Sequence, residues 1–172
     1  ATVPAIPADQ VDEVLARYPG AHTAKVKVAQ EGQTLDDDVA RVEAVRSRID
    51  HVRVDANGKW TVQQAITAIR ALGELEYAEQ PCVTIDELAA VRAAVDTPIA
   101  ADESIRRASD PLKVIAAEAA DIAVLKVAPL GGMRRVLDLA GRIALWSKDP
   151  SRGVGCVIVT PDRRICSTGF NG

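Results

Sequence analysis

The sequence predicts an α/β protein made of six strand–helix units of a parallel barrel. A short apolar strand running into one carboxylate occurs three times, in HVRVDANG, LEYAEQP and PIAADES, and ends at Asp55, Glu79 and Asp102. One spacing further on, IAVLKVAP places Lys126 at the corresponding position. A repeat of about 24 residues holds one strand, one loop and one helix, which is the unit of a (β/α) barrel. These four side chains should therefore share one rim.

The second predicted strand, residues 23–29, carries two lysines on one face. Alternation in TAKVKVA sends Lys25 and Lys27 to one side of the sheet and Val26 and Val28 to the other. The lysines should point into the barrel or its mouth, where burial is costly unless each ammonium finds a partner.

Helix starts are marked by capping residues. A helix from about residue 34 to 49 has acidic residues at its start and arginines toward its end, as the helix dipole favours. Thr61 with Gln64, and Thr84 with Glu87, have the spacing of capping boxes. Each unit is therefore locally consistent with the same architecture.

Length, composition and charge limit the classes of protein. The 172 residues, 48% hydrophobic and 26% charged, suit one globular domain spanning 1–172, but a complete eight-unit barrel takes about 250 residues. A net charge of −3 gives no electrostatic case for binding nucleic acid or membrane. No apolar run approaches the roughly 18 residues of a membrane span, and no signal peptide is visible. Because the first strand, ATVPA, starts almost at residue 1, we expect no preceding domain, and we expect a cytoplasmic protein.

Five segments resemble a known family in the right order: AKVKVA, VRVDANG, EYAEQPC, PIAADESIR and VLKVAPLGG. They are similar to the barrel of the enolase superfamily, and most of all to the o-succinylbenzoate synthases of menaquinone biosynthesis. The resemblance covers about residues 2 to 140, in six β/α units. It implies a Mg²⁺-dependent site at the rim. By this resemblance Lys27 is the acid/base lysine with Lys25 beside it, Asp55, Glu79 and Asp102 are the metal ligands, and Lys126 is the opposing cation.

The chemistry of these side chains agrees with the resemblance. Mg²⁺ prefers hard oxygen ligands, and an enediolate intermediate is stabilised by a divalent cation. A lysine crowded by positive charge can have a lowered pKa, which suits it to accept a proton. Alternatively, strand-end carboxylates cap loops or pair with nearby Lys and Arg, and for one carboxylate alone we favour that interpretation. For three at matched spacing with two lysines, we favour a metal site.

The repeat then breaks after a helix whose apolar positions are Val136, Leu137, Ala140 and Ile143. Residues 141–172 resemble instead the N-terminal helix end and first β-hairpin of deoxycytidylate deaminases, through SKDPS, VGCVIV and STGFNG. GVGCVIVT and RICSTG bracket a turn at Pro161-Asp162-Arg163, which predicts a hairpin on physical grounds alone.

No zinc is expected in this last segment. The deaminase family holds zinc with His-x-Glu and Pro-Cys-x-x-Cys, and neither occurs in the chain. Cys82, Cys156 and Cys166 are odd in number and lack CxxC spacing, so we expect reduced thiols.

Three hypotheses for function follow from these two resemblances. The first is a chimeric protein, engineered or recombined, that is a folding scaffold without catalytic activity, because the seventh and eighth units and the capping domain of the resembled family are missing. The second is a residual Mg²⁺-dependent lyase with o-succinylbenzoate synthase-like dehydration. The third is a self-association module that recruits a second copy through an incomplete sheet. The first is the favoured hypothesis.

The hairpin is expected to complete a partial TIM-type (β/α)₆ barrel. The join helix should lay GVGCVIVT parallel to the sixth strand, and RICSTG should return antiparallel and pair with the first strand. The result would be seven parallel strands and one antiparallel strand. If closure fails, we expect a homodimer through the hairpin or the open sheet edges.

Overall fold

Six parallel strands, ordered as in the chain, form one sheet in the computed structural model, which describes residues 1–107, 109–144, 155–159 and 165–170. The strands are β1 (Thr2–Val3), β2 (Thr23–Lys27), β3 (His51–Asp55), β4 (Tyr77–Glu79), β5 (Ile99–Ala101) and β6 (Ile122–Ala123). The helices are α1 (Val11–Leu15), α2 (Leu35–Arg46), α3 (Val62–Leu72), α4 (Ile85–Arg92), α5 (Asp110–Ala116) and α6 (Met133–Ala144). The predicted α/β fold with six parallel strands is confirmed. No described helix is both long and apolar enough to cross a membrane.

Helices α2, α3 and α4 each begin with a capping box. In each box, the threonine hydroxyl accepts a hydrogen bond from the backbone N–H of the residue three positions later. The side chain of that later residue accepts a hydrogen bond from the threonine backbone N–H. The boxes join Thr34 to Asp37, Thr61 to Gln64, and Thr84 to Glu87. The two predicted boxes are therefore confirmed, and each one fixes a helix start just after a strand-end loop.

The two faces of the sheet differ in chemistry. The outer face packs on the helices in one apolar core, which contains Val26, Val52, Val54, Ala78 and Ile99 from the strands and Val42, Ile69 and Leu88 from the helices. The inner face carries the strand residues that alternate with these apolar strand residues. The parallel register aligns Lys27 with Asp55, and Asp55 with Glu79, so charged side chains meet at one edge.

The apolar face of α6 differs from the prediction by one position. Val136, Leu139 and Ala140 are buried, whereas Leu137 is half-exposed. The side chain of Ile143 lies outside the described residues. The buried face of α6 is therefore formed by Val136, Leu139 and Ala140, and Leu139 takes the place that the prediction gave to Leu137.

The final two strands pair with each other and, among the described residues, are not hydrogen-bonded into the main sheet. β7 (Gly155–Val159) and β8 (Ile165–Phe170) pair antiparallel in a two-stranded sheet of their own. The antiparallel pairing is the one that the hairpin prediction requires, but the predicted closure is not found, because neither strand pairs with β6 or β1 among the described residues. β6 and β1 have two residues each, so either edge offers few backbone groups for a ladder. The predicted turn at 161–163 lies outside the described residues, and dimerisation stays a prediction.

Candidate metal centre

Three carboxylates lie side by side at the carboxyl ends of neighbouring strands. Asp55 ends β3, Glu79 ends β4, and Asp102 directly follows β5. All three are buried, with exposed fractions of 1%, 1% and 2%. Charged groups are almost never buried to this degree without partners. We call these three residues the carboxylate row.

Lysines supply the partners along the row. Lys25 Nζ lies 3.0 Å from Glu79 Oε1 and 3.1 Å from Asp55 Oδ2, so it bridges two members. Lys27 Nζ lies 2.6 Å from Asp55 Oδ2. The structure thus places both β2 lysines against the row, as their alternation predicts.

Lys126 reaches the other end of the row. Its Nζ lies 2.5 Å from Asp102 Oδ2. The residue lies three positions beyond β6 rather than within the strand, and its side chain is about half-exposed. Lys27 and Lys126 therefore contact opposite ends of the carboxylate row.

Burial and mutual repulsion perturb the middle carboxylate most. Burial, followed by the negative charge of Asp55, raises the pKa of Glu79 to about 7, although Lys25 opposes the shift. Burial also acts to raise the pKa of Asp55, but the hydrogen bond from Lys27 and the charge of Lys25 outweigh it and lower that pKa. The two neighbouring carboxylates are therefore shifted in opposite directions.

Lys25 differs from the expectation for crowded lysines. Burial acts to lower its pKa, but the charges of Glu79 and Asp55 outweigh burial and raise the pKa above its usual value. Its nearest charges are carboxylates rather than other lysines, so Lys25 is held in its protonated form.

The donor set fits a hard divalent cation. Within the described part of the chain, no group of three or more His, Cys, Asp or Glu side chains is close enough to hold a metal ion as the structure stands. However, Asp102 Oδ1 is buried and accepts no hydrogen bond from any described residue, which is costly for a carboxylate oxygen. Carboxylate oxygens are the ligands that Mg²⁺ prefers. The row therefore has the ligand type that such a cation needs, and lysine ammoniums supply the counter-charge to its carboxylates here.

Sequence reasoning missed Asn57. Lys27 Nζ donates to Asn57 Oδ1 at 2.8 Å, and Asn57 Nδ2 donates to Glu103 Oε1 at 3.1 Å. Asn57 has a φ of 49°, in the left-handed region that Asn tolerates better than most residues. The Asn-Gly pair after β3 signalled this turn, but nothing in the sequence signalled that its amide would hold Lys27.

A cleft of about 390 Å³ lies elsewhere, between the starts of α2 and α3. Its lining includes Gln33, Lys59 and Trp60, and none of the predicted site residues. We place the candidate site at the carboxylate row, because buried charges with perturbed pKa values mark functional sites more specifically than volume does.

Comparison with known proteins identifies the family. Residues 8–149 match the family model described as "Enolase C-terminal domain-like". The chain belongs to this enolase C-terminal domain-like family. The match takes in β2 to β6 and therefore every member of the carboxylate row and all three lysines.

Curated relatives of this enolase-family chain are enzymes. The o-succinylbenzoate synthase of Mycolicibacterium smegmatis is 58% identical over 185 residues, covering 100% of the chain and 58% of the relative. That of Mycobacterium tuberculosis is 65% identical over 148 residues, covering 84% of the chain and 45% of the relative. The chain thus spans about half the length of these relatives. The prediction of a scaffold without catalytic function is wrong, because relatives this similar are named as synthases.

The resemblance of residues 141–172 to a deaminase finds no support in these comparisons. The M. smegmatis synthase aligns over the whole chain, including that segment. The segment therefore gives no ground for a chimera of two families.

Two solved structures share this fold. A member of the enolase superfamily from Roseovarius nubinhibens, complexed with magnesium, has a TM-score of 0.68 and 27% identity, over 81% of the chain and 39% of that protein. The N-succinyl Arg/Lys racemase of Bacillus cereus has a TM-score of 0.74 and 30% identity, over 84% of the chain and 42% of that protein.

Proposed function

We propose that the chain carries the metal-binding and lysine-bearing part of an o-succinylbenzoate synthase, a Mg²⁺-dependent carbon–oxygen lyase. The observation that carries the proposal is the buried carboxylate row with a lysine at each end. The names of the curated relatives support the choice of reaction.

The carboxylate row would hold the cation. Asp55, Glu79 and Asp102 come from three neighbouring strands, and each offers oxygen atoms on the inner side of the sheet. When bound, Mg²⁺ would stabilise the negative charge that develops on the substrate as a proton is removed. Asp102 Oδ1, which has no hydrogen-bond partner in the described part of the chain, and the raised pKa of Glu79 both support a site built for added positive charge.

Lys27 is the residue that we assign as the base. Its Nζ lies between Asp55 Oδ2 and Asn57 Oδ1, while the side chain keeps partial exposure on the open side of the row. Two fixed acceptors define the direction of Nζ, which is what proton transfer at a defined substrate atom requires.

Lys126 and Lys25 have supporting roles in this proposal. Lys126, at the far end of the row, would place its positive charge across the substrate from Lys27. Lys25, which bridges Asp55 and Glu79, would neutralise carboxylate charge rather than take a proton, because its pKa is raised.

A dehydration assay tests the proposal. We expect the purified chain to convert the o-succinylbenzoate synthase substrate when Mg²⁺ is present. The reaction should stop when a chelator removes the metal. Lys27→Met should lower the rate by about 100-fold or more, the usual contribution of a positioned acid or base. Lys113→Met removes an exposed lysine of α5 that pairs with Asp110, and should leave the rate unchanged. No turnover by the unaltered chain, or equal turnover by the Lys27 variant, would contradict the proposal.

A racemase or epimerase is the second candidate, because lysines contact both ends of the row. Two lysines on opposite sides of a substrate carbon suit removal of a proton from one face and its return to the other. The Bacillus cereus racemase supports this option. Incubation of an N-acylated amino acid in D₂O distinguishes the two functions, since racemisation exchanges the α-hydrogen for deuterium and dehydration releases water.

A further inference from the structure

Gln80 is buried at the centre of the loops that carry the carboxylate row. It follows Glu79 directly, its side chain is fully buried, and its φ of 40° lies in the left-handed region. Glutamine is usually exposed, and a positive φ costs a residue with a side chain of this size. Because both features cost free energy, the contacts of Gln80 must stabilise the fold by more than that cost.

The amide of Gln80 uses its full hydrogen-bonding capacity. Nε2 donates to Ser104 Oγ at 2.6 Å and to the Cys82 carbonyl at 2.9 Å. Oε1 accepts from the N–H of Asp102 at 2.9 Å and from that of Ser104 at 3.2 Å. An amide has two donors and two acceptor sites, so none is left unpaired. The two backbone N–H groups also fix the orientation of the amide, because a flipped amide would set donors against donors.

The backbone of Gln80 adds contacts on both sides. Its N–H donates to the Ala100 carbonyl at 2.7 Å, and its carbonyl accepts from the Gly58 N–H at 2.7 Å. Gln80 thus joins the loop after β3, which follows Asp55, to the end of β5 and the turn after it, which carries Asp102. One residue connects all three strand ends that supply the row.

We propose that Gln80 is a positioning residue that sets the Asp102 carboxylate relative to Glu79, and so determines the affinity of the site for a divalent cation. The inference rests on the cation site of the proposed function. The main chain of Asp102 is held by the Gln80 amide, while Asp102 Oδ1 accepts no hydrogen bond from the residues that the structure describes. Residues that orient metal ligands in this way typically change metal affinity about 10- to 100-fold when they are replaced.

Gln80→Met in the full chain is the direct test, since methionine keeps a similar volume and removes all four side-chain hydrogen bonds. We expect isothermal titration with Mg²⁺ to show an affinity lower by about 10- to 100-fold. We also expect faster hydrogen exchange at the backbone amides of Asp102 and Ser104, measured by NMR without metal. Gln63→Met, on the exposed face of α3, is the matched control and should change neither quantity.

A second control separates positioning from general stability. Ile99→Ala, on the outer face of β5, should lower stability while the Mg²⁺ affinity stays at its original value. If Gln80→Met does not fold, Ser104→Ala is the test of the inference. It removes one acceptor of the Gln80 amide and should weaken Mg²⁺ binding to a smaller extent. Unchanged Mg²⁺ affinity together with unchanged exchange at Asp102, in the folded Gln80 variant or in Ser104→Ala, would overturn the inference.

The two proposals can fail separately. If the unaltered chain binds no Mg²⁺, the proposed function fails. Exchange at Asp102 still shows whether Gln80 holds that segment, and unchanged exchange would then overturn the inference by itself.

Discussion

Both faces of one parallel sheet contain fully buried side chains, but their chemistry is opposite. On the outer face Val54 and Ile99 have no exposed surface and pack in the apolar core. On the inner face Asp55 and Glu79 are 1% exposed, but they carry charge. Apolar burial stabilises the fold, whereas burial of a carboxylate costs free energy unless charges and hydrogen bonds compensate. The apolar outer face is therefore the source of stability, and the charged inner face is not.

The largest difference between the faces should appear in core truncation. Ile99→Ala should lower the free energy of unfolding by about 2–5 kcal/mol, because it leaves a cavity in a core that cannot fully collapse. Val83→Ala removes methyl groups from a residue that is 70% exposed, and should cost within about 0.5 kcal/mol. Urea unfolding of the two variants measures both values. Equal losses would show that the outer face does not carry the stability.

The inner face should make stability depend on pH. Because the pKa of Glu79 is raised to about 7 in the folded chain, its contribution is fully present below its ordinary value of 4.5 and is lost as pH rises through 7. The free energy of unfolding without metal should therefore fall between pH 5 and pH 8, by on the order of 3 kcal/mol. In Glu79→Gln this fall should disappear. The free energy of unfolding is measured by urea unfolding across that pH range. If it falls with pH at the same slope in both proteins, the assignment to Glu79 is wrong.

The helix starts should show the smallest effect. Thr84→Ala removes the hydroxyl that accepts from Glu87 N–H, and should cost about 1 kcal/mol of stability, the typical value of a lost cap. Mg²⁺ affinity should stay the same, since this cap supports the outer layer. A change in Mg²⁺ affinity comparable to that of Gln80→Met would mean that the two faces are not independent.

Local signals in the sequence predicted most of the fold. The strand repeat placed the carboxylates, and Thr61 and Thr84 marked helix starts, because each depends on residues near in sequence. The placement of the hairpin could not be predicted in this way. Pairing of β7 and β8 follows from their own sequence, whereas closure needs distant edges, and β1 and β6 are too short to favour it.

The site was predictable in its charged members but not in the polar residues that hold them. Gln80 reads as one polar residue between Glu79 and Pro81, and its role depends on Ser104, which lies 24 residues further on. That spacing equals one strand–helix repeat, which is the only signal of the contact in the sequence. Arg41 of α2 has no distinguishing signal in the sequence, yet it is fully buried and pairs with Asp38 at 2.7 Å, because helical spacing turns both toward β2.

Thermal and urea unfolding with and without Mg²⁺ tests most directly the claim that the inner face is a cation site. At free Mg²⁺ 100 times the dissociation constant, the free energy of unfolding should rise by about 2.7 kcal/mol. Asp102→Ala should abolish this gain, while Asp36→Ala, at an exposed carboxylate in the first turn of α2, should keep it. Unfolding curves that millimolar Mg²⁺ leaves unchanged, or an equal gain in Asp102→Ala, would contradict the account.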